Sequence, residues 1–141
     1  MDAFLYSNGT MTDLGNLGDS FAGANSINKL GEIVGYSIIS PRKGHAFFYS
    51  SSTGIKDLNT LYASLLVSGV GPQKGFATIT NAISINNSGE IVGYGAYWNG
   101  TSNLPEAFLL DPGPTILRMI LQWGMAVLGV LLLITAIRWL V

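Results

Sequence analysis

The stretch Ala24-Asn25-Ser26-Ile27-Asn28-Lys29-Leu30-Gly31-Glu32-Ile33-Val34-Gly35-Tyr36 returns later in the chain as Ala82-Ile83-Ser84-Ile85-Asn86-Asn87-Ser88-Gly89-Glu90-Ile91-Val92-Gly93-Tyr94. The two copies differ only at Asn25/Ile83, Lys29/Asn87 and Leu30/Ser88. Self-similarity of this kind marks a repeat architecture and outranks any single-residue clue. Within each copy, Ser-Ile-Asn and Glu-Ile-Val-Gly-Tyr favour extended backbone. The residues between them, Asn28-Lys29-Leu30-Gly31 in the first copy, compose a short turn ending in a glycine able to take positive φ. Each copy therefore reads as a β-hairpin.

A second unit surrounds the first. Ala3-Phe4-Leu5-Tyr6-Ser7 returns as Ala46-Phe47-Phe48-Tyr49-Ser50 and more loosely as Ala107-Phe108-Leu109-Leu110-Asp111. Ala3 to Tyr6 is expected to pair with Met11 to Leu14 through Asn8-Gly9, and Ala46 to Tyr49 with Ile55 to Leu58 through Ser51 to Gly54. The expected organisation is a partial unit over 1–15, a complete unit over 22–59 and a final unit over 76–111. An insert from Thr60 to Thr78 lengthens one connection, with a short helix from Leu61 to Val67. Four short strands in about 40 residues is the size of a propeller blade, whose buried face must lie on a neighbour. The expected fold class is all-β: repeated four-stranded antiparallel units, partially β-propeller-like, followed by one C-terminal transmembrane helix. Two strands, then four, then three do not close a ring. The expectation is a piece of a longer protein, or closure by self-association through open sheet edges.

The composition agrees with this reading. Of 141 residues, 18 are glycine and 11% are aromatic, which suits short strands and tight turns. Charged residues are only 11% and the net charge is -1, so there is no basic field for a phosphate backbone and nucleic acid is not an expected partner. Without cysteine there is neither a disulfide framework nor a thiolate metal site. The N-terminus from Met1 to Ser7 lacks the regions of a secretory signal, so export information is expected either to have been lost or to lie elsewhere.

After the linker 112–115, residues 116–141 read as a membrane helix. Met119 to Ile137 carries no charge and one amide, Gln122, and at 1.5 Å per residue spans roughly 28 Å, close to the hydrocarbon thickness. Trp123 and Trp139 stand near its ends and Arg118 and Arg138 flank it, as interface anchors do. The apolar residues cover every face, which a body of this size could hardly bury. The lipid bilayer is therefore an expected partner. One arginine on each side leaves the orientation open.

These units resemble the HAF repeat family of bacterial and archaeal extracellular proteins, named for a tripeptide that stands here as His45-Ala46-Phe47. The resemblance covers nearly all of residues 1–111. It rests on Ala3 to Gly15, on the two Ile-Asn-x-x-Gly-Glu-Ile-Val-Gly-Tyr units, on Asp57-Leu58-Asn59 and on Ala107 to Leu110. It implies a propeller-like body outside the cell and carries over no established catalytic residues. The tail is only loosely similar to a PEP-CTERM sorting segment: Pro112-Gly113-Pro114 precedes the helix, but the acidic residue and the basic cluster are missing.

Candidate chemistry is sparse. His45 is the only histidine, and its repeat equivalent is Asp2, which argues against a shared catalytic role. Glu32 and Glu90 could be imagined as the paired carboxylates of a glycosidase, but their equivalence favours a common turn function. Asn8-Gly9-Thr10, Asn86-Asn87-Ser88 and Asn99-Gly100-Thr101 match the glycosylation sequon where turn chemistry already accounts for them. Tyr36, Tyr94, Tyr97 and Trp98 are the candidate ligand contacts, as an aromatic platform for a sugar or protein. No cofactor, metal or catalytic residue is expected. The leading expectation is a non-catalytic, surface-displayed structural or interaction module. The alternatives are a repeat-built glycan hydrolase or lyase and a cytosolic tail-anchored protein.

Overall fold

The computed structural model describes residues 1–18 and 21–112. The expected span 116–141, with Arg118, Trp123, Arg138 and Trp139, lies outside them, as does linker 112–115 beyond Pro112. Among the described residues no helix is long and apolar enough to cross a membrane.

The described residues are all-β, with three antiparallel sheets of consecutive strands. The first pairs β1 (Ala3–Ser7) with β2 (Thr10–Gly15). The second runs β3 (Phe21–Ile27), β4 (Ile33–Ser40), β5 (Lys43–Ser50) and β6 (Gly54–Asp57), and the third β7 (Gly75–Ile85), β8 (Ile91–Trp98) and β9 (Asn103–Leu110). No closed barrel or propeller is present among them. Each connection within a sheet is short, as adjacent antiparallel strands require.

Two apolar clusters join the sheets face to face. Ala3, Leu5 and Leu14 of the first sheet pack with Ala22, Ile33, Phe47, Tyr49 and Ile55 of the second. Val34, Ala46 and Phe48, from the opposite face of the second sheet, pack with Ile79, Ala82, Ile85, Ile91, Phe108 and Leu110 of the third. Strand alternation explains the division: Phe47 and Tyr49 point one way, Ala46 and Phe48 the other. The middle sheet is thus covered on both faces, and its runs Ile33-Val34 and Ala46-Phe47 are fully buried. Because such strands bury both faces, they read as continuous apolar runs instead of an alternation.

The recurring hairpin loops carry the same bonds. In the first, Asn28 Oδ1 accepts from the backbone N–H of Leu30 (2.9 Å) and of Glu32 (3.1 Å), while Asn28 Nδ2 donates to Glu32 Oε2 (2.6 Å). In the second, Asn86 Oδ1 accepts from Ser88 and Glu90 at 2.9 Å each, and Asn86 Nδ2 donates to Glu90 Oε2. Gly31 and Gly89 close the loops at φ 75° and 82°, a region that admits glycine without steric cost. The loops also touch: Asn28 Nδ2 donates to the Asn86 carbonyl (3.1 Å), and the Lys29 N–H to Asn87 Oδ1 (3.0 Å). Asn28→Ala removes the acceptor of two backbone donors, so it should lower the unfolding free energy by about 1–3 kcal/mol. Chemical denaturation followed by circular dichroism checks this, and a change below about 0.5 kcal/mol would contradict the assigned role.

Two strand boundaries, and the short helix expected over Leu61 to Val67, differ from the sequence expectation. Leu58 does not end a strand: Asp57 Oδ1 accepts from the Asn59 N–H (2.8 Å) and caps the one-turn helix α1 (Leu58–Leu61), followed by a 3₁₀ turn at Ala63–Leu65. A side-chain acceptor for an unpaired N–H at this position starts a helix. The third sheet begins at Gly75, one residue before the expected final unit over 76–111 and inside the expected insert, because Gly75 and Phe76 pair with Trp98 and Tyr97.

Candidate functional site

The register of β8 decides how the candidate aromatics are presented. Its pairing with β9 is unbroken from Ile91↔Leu110 to Trp98↔Asn103, so side chains alternate strictly. Ile91 faces the core with Phe108 and Leu110. Val92, Tyr94 and Trp98 consequently stand on the outer face, and Tyr97 on the inner one, where its ring meets Phe76 edge-on with centroids 5.4 Å apart. Tyr36 is on β4 of another sheet, half-buried against the ring of Phe21 at 5.7 Å. Of the four candidates, only Tyr94 and Trp98 therefore share a face.

Both are held in place. Asn81 Nδ2 donates to the Tyr94 hydroxyl (3.0 Å), and Asn81 Oδ1 in turn accepts from Asn25 Nδ2 (2.7 Å). Trp98 Nε1 donates to the Gly71 carbonyl (2.8 Å), tying the ring to the connection that precedes β7. A fixed ring loses little freedom when it receives a ligand. Around them the outer face is apolar and open: Val92 is 43% exposed, Tyr94 47% and Leu109 62%.

The remaining candidates are committed to the scaffold. Glu32 and Glu90 each accept from the asparagine of their own loop. His45 Nδ1 donates to Asp57 Oδ2 at 2.6 Å, a carboxylate being an acceptor only. Asp57 Oδ1 also accepts from Asn59 Nδ2 (3.0 Å), and Asn59 reaches across to β7, donating to the Ile79 carbonyl (2.8 Å) and accepting its N–H (2.7 Å). His45 pairs with Ser37 across β4 and β5, which sets a serine, a histidine and an aspartate in sequence on one face. The serine is not poised as a nucleophile: its Oγ donates to the Phe21 carbonyl (3.2 Å), accepts from the Leu17 N–H (3.0 Å) and is fully buried. Among the described residues no group of three or more acidic or histidine side chains could hold a metal ion.

Sequence reasoning missed Asn28 and Asn86 as loop centres and Asn59 as the link between sheets. The signal for the first pair was their recurrence three residues before a repeated glycine; for Asn59 there was none, since its partner Ile79 is distant in the chain. Comparison with family models, curated proteins and solved structures gives no match.

Proposed function

We propose that this chain is a HAF-type β-repeat module, stacked in propeller-like fashion, anchored to a bilayer through 116–141 and displayed at the cell surface, where it acts by recognition of a glycan or protein and not by catalysis. The observation that carries the reading is the open apolar face of the third sheet, with Tyr94 and the tethered Trp98 upon it. Exposed apolar patches with ordered aromatic rings are characteristic of contact surfaces. Glu32 and Glu90, the carboxylates that recur in the sequence, are engaged in closing their loops, and Asp57 pairs with His45. The anchor is supported by the uncharged run Met119 to Ile137 with its tryptophan and arginine flanks.

The test is a glycan array probed with the detergent-solubilised full chain. Binding should weaken about tenfold in Trp98→Ala, the size expected for one aromatic stacking contact. An array that stays blank with the unaltered chain removes the glycan reading. Protection of the body from added protease in intact cells would in turn count against surface display.

A further inference from the structure

The outer faces of the first and third sheets are the two halves of a contact that the chain already makes twice within itself. The β8–β9 pairing repeats that of β4–β5 position by position: Val92↔Leu109 stands where Val34↔Phe48 does, Gly93↔Phe108 where Gly35↔Phe47 does, and Tyr94↔Ala107 where Tyr36↔Ala46 does. In the middle sheet the face formed by Val34, Ala46 and Phe48 is covered, with Val34 and Ala46 completely buried. The equivalent face of the third sheet, Val92, Ala107 and Leu109, is exposed.

The other end of the body shows the converse. Phe4↔Asp13 and Tyr6↔Met11 in the first sheet repeat Phe47↔Asp57 and Tyr49↔Ile55 in the second. Phe47 is completely buried against the first sheet, whereas Phe4, Tyr6 and Met11 are 61%, 65% and 62% exposed. One end thus presents Val92, Ala107 and Leu109 beside Tyr94, and the other presents Phe4, Tyr6 and Met11.

We propose that the outer face of the β7–β9 sheet receives the outer face of the β1–β2 sheet of a second copy of this chain, so that copies stack head to tail and continue the internal packing. The occupant follows from the chain itself, which carries the matching surface at its opposite end. The joined surfaces are unlike, so the contact is heterologous and builds a row or a closed ring, never a two-fold dimer. This names a partner for the recognition surface proposed above and rests on that face being a contact surface.

Sedimentation of the full chain in detergent, with Phe4→Glu and Leu109→Glu variants, tests it. Both positions are exposed, and unchanged circular dichroism establishes that the variants fold. The unaltered chain should form concentration-dependent oligomers. Each variant alone should be monomeric, because one of its ends is spoiled. The two mixed should give a one-to-one complex and nothing larger, since each supplies the end the other lacks. A mixture that stays monomeric overturns the proposal, as does either variant assembling alone like the unaltered chain, which would place the association in the tail or the strand edges. A blank glycan array beside a one-to-one complex leaves the stack standing, while array binding without the complex overturns the stack alone.

Discussion

Phe47→Ala is expected to lower the unfolding free energy by about 3–5 kcal/mol, a large part of the stability of a small domain. The ring is completely buried between the first two sheets, among Ala3, Leu14, Ala22 and Ile33, so its removal leaves a cavity in that cluster. The informative control is Phe4→Ala. It alters the equivalent residue of the recurring Ala-Phe segment, yet Phe4 is 61% exposed, so its loss in the monomer should change stability by no more than about 0.5 kcal/mol. Denaturant titrations followed by circular dichroism at low protein concentration measure both. Equal effects at the two sites would show that the sheets are not stacked as described.

The second large effect concerns a residue with no side chain. A Cβ on Gly93 would lie 2.0 Å from the Asn81 carbonyl oxygen and 2.7 Å from the ring of Phe108; one on Gly35 would lie 2.0 Å from the Gly23 carbonyl oxygen and 2.8 Å from the ring of Phe47. Both glycines sit opposite irregularities in the neighbouring strand, between Ala24 and Ser26 and between Ala82 and Ser84. Such a bulge bends its strand and brings backbone over the partner. Neither a carbonyl nor a packed ring can retreat cheaply, so Gly93→Ala and Gly35→Ala should each cost about 3 kcal/mol or more. Gly44→Ala, whose new atom would meet nothing closer than 3.7 Å, should be tolerated in the same denaturation series. If Gly44 and Gly93 responded alike, the close approach would be wrong.

The hairpins could be read from residue order because their determinants are local. Asn8-Gly9 makes a two-residue turn between β1 and β2, and the Asn-x-x-Gly-Glu loops recur with their bonds intact. Boundaries set by distant partners were illegible. Gly75 becomes strand because Trp98 lies beside it, and nothing near Gly75 announces that pairing, so the insert was expected to run on to Thr78. The candidate site divides in the same way. Tyr36 and Tyr94 close the same Gly-Glu-Ile-Val-Gly-Tyr run, but one is half-buried and the other 47% exposed. What separates them is whether another sheet lies on top, a property of place in the stack that no residue pattern encodes.

The side-by-side hairpin loops have a consequence for how such a chain changes over generations. Each of the two loops closes on its own asparagine, and the loops meet through the Asn28 and Asn87 amides and the Lys29 N–H, so this part of the junction is set by the two hairpins that meet there. A joint built from such short-range bonds lets one hairpin be exchanged for another of the same loop sequence without reworking the rest of the body.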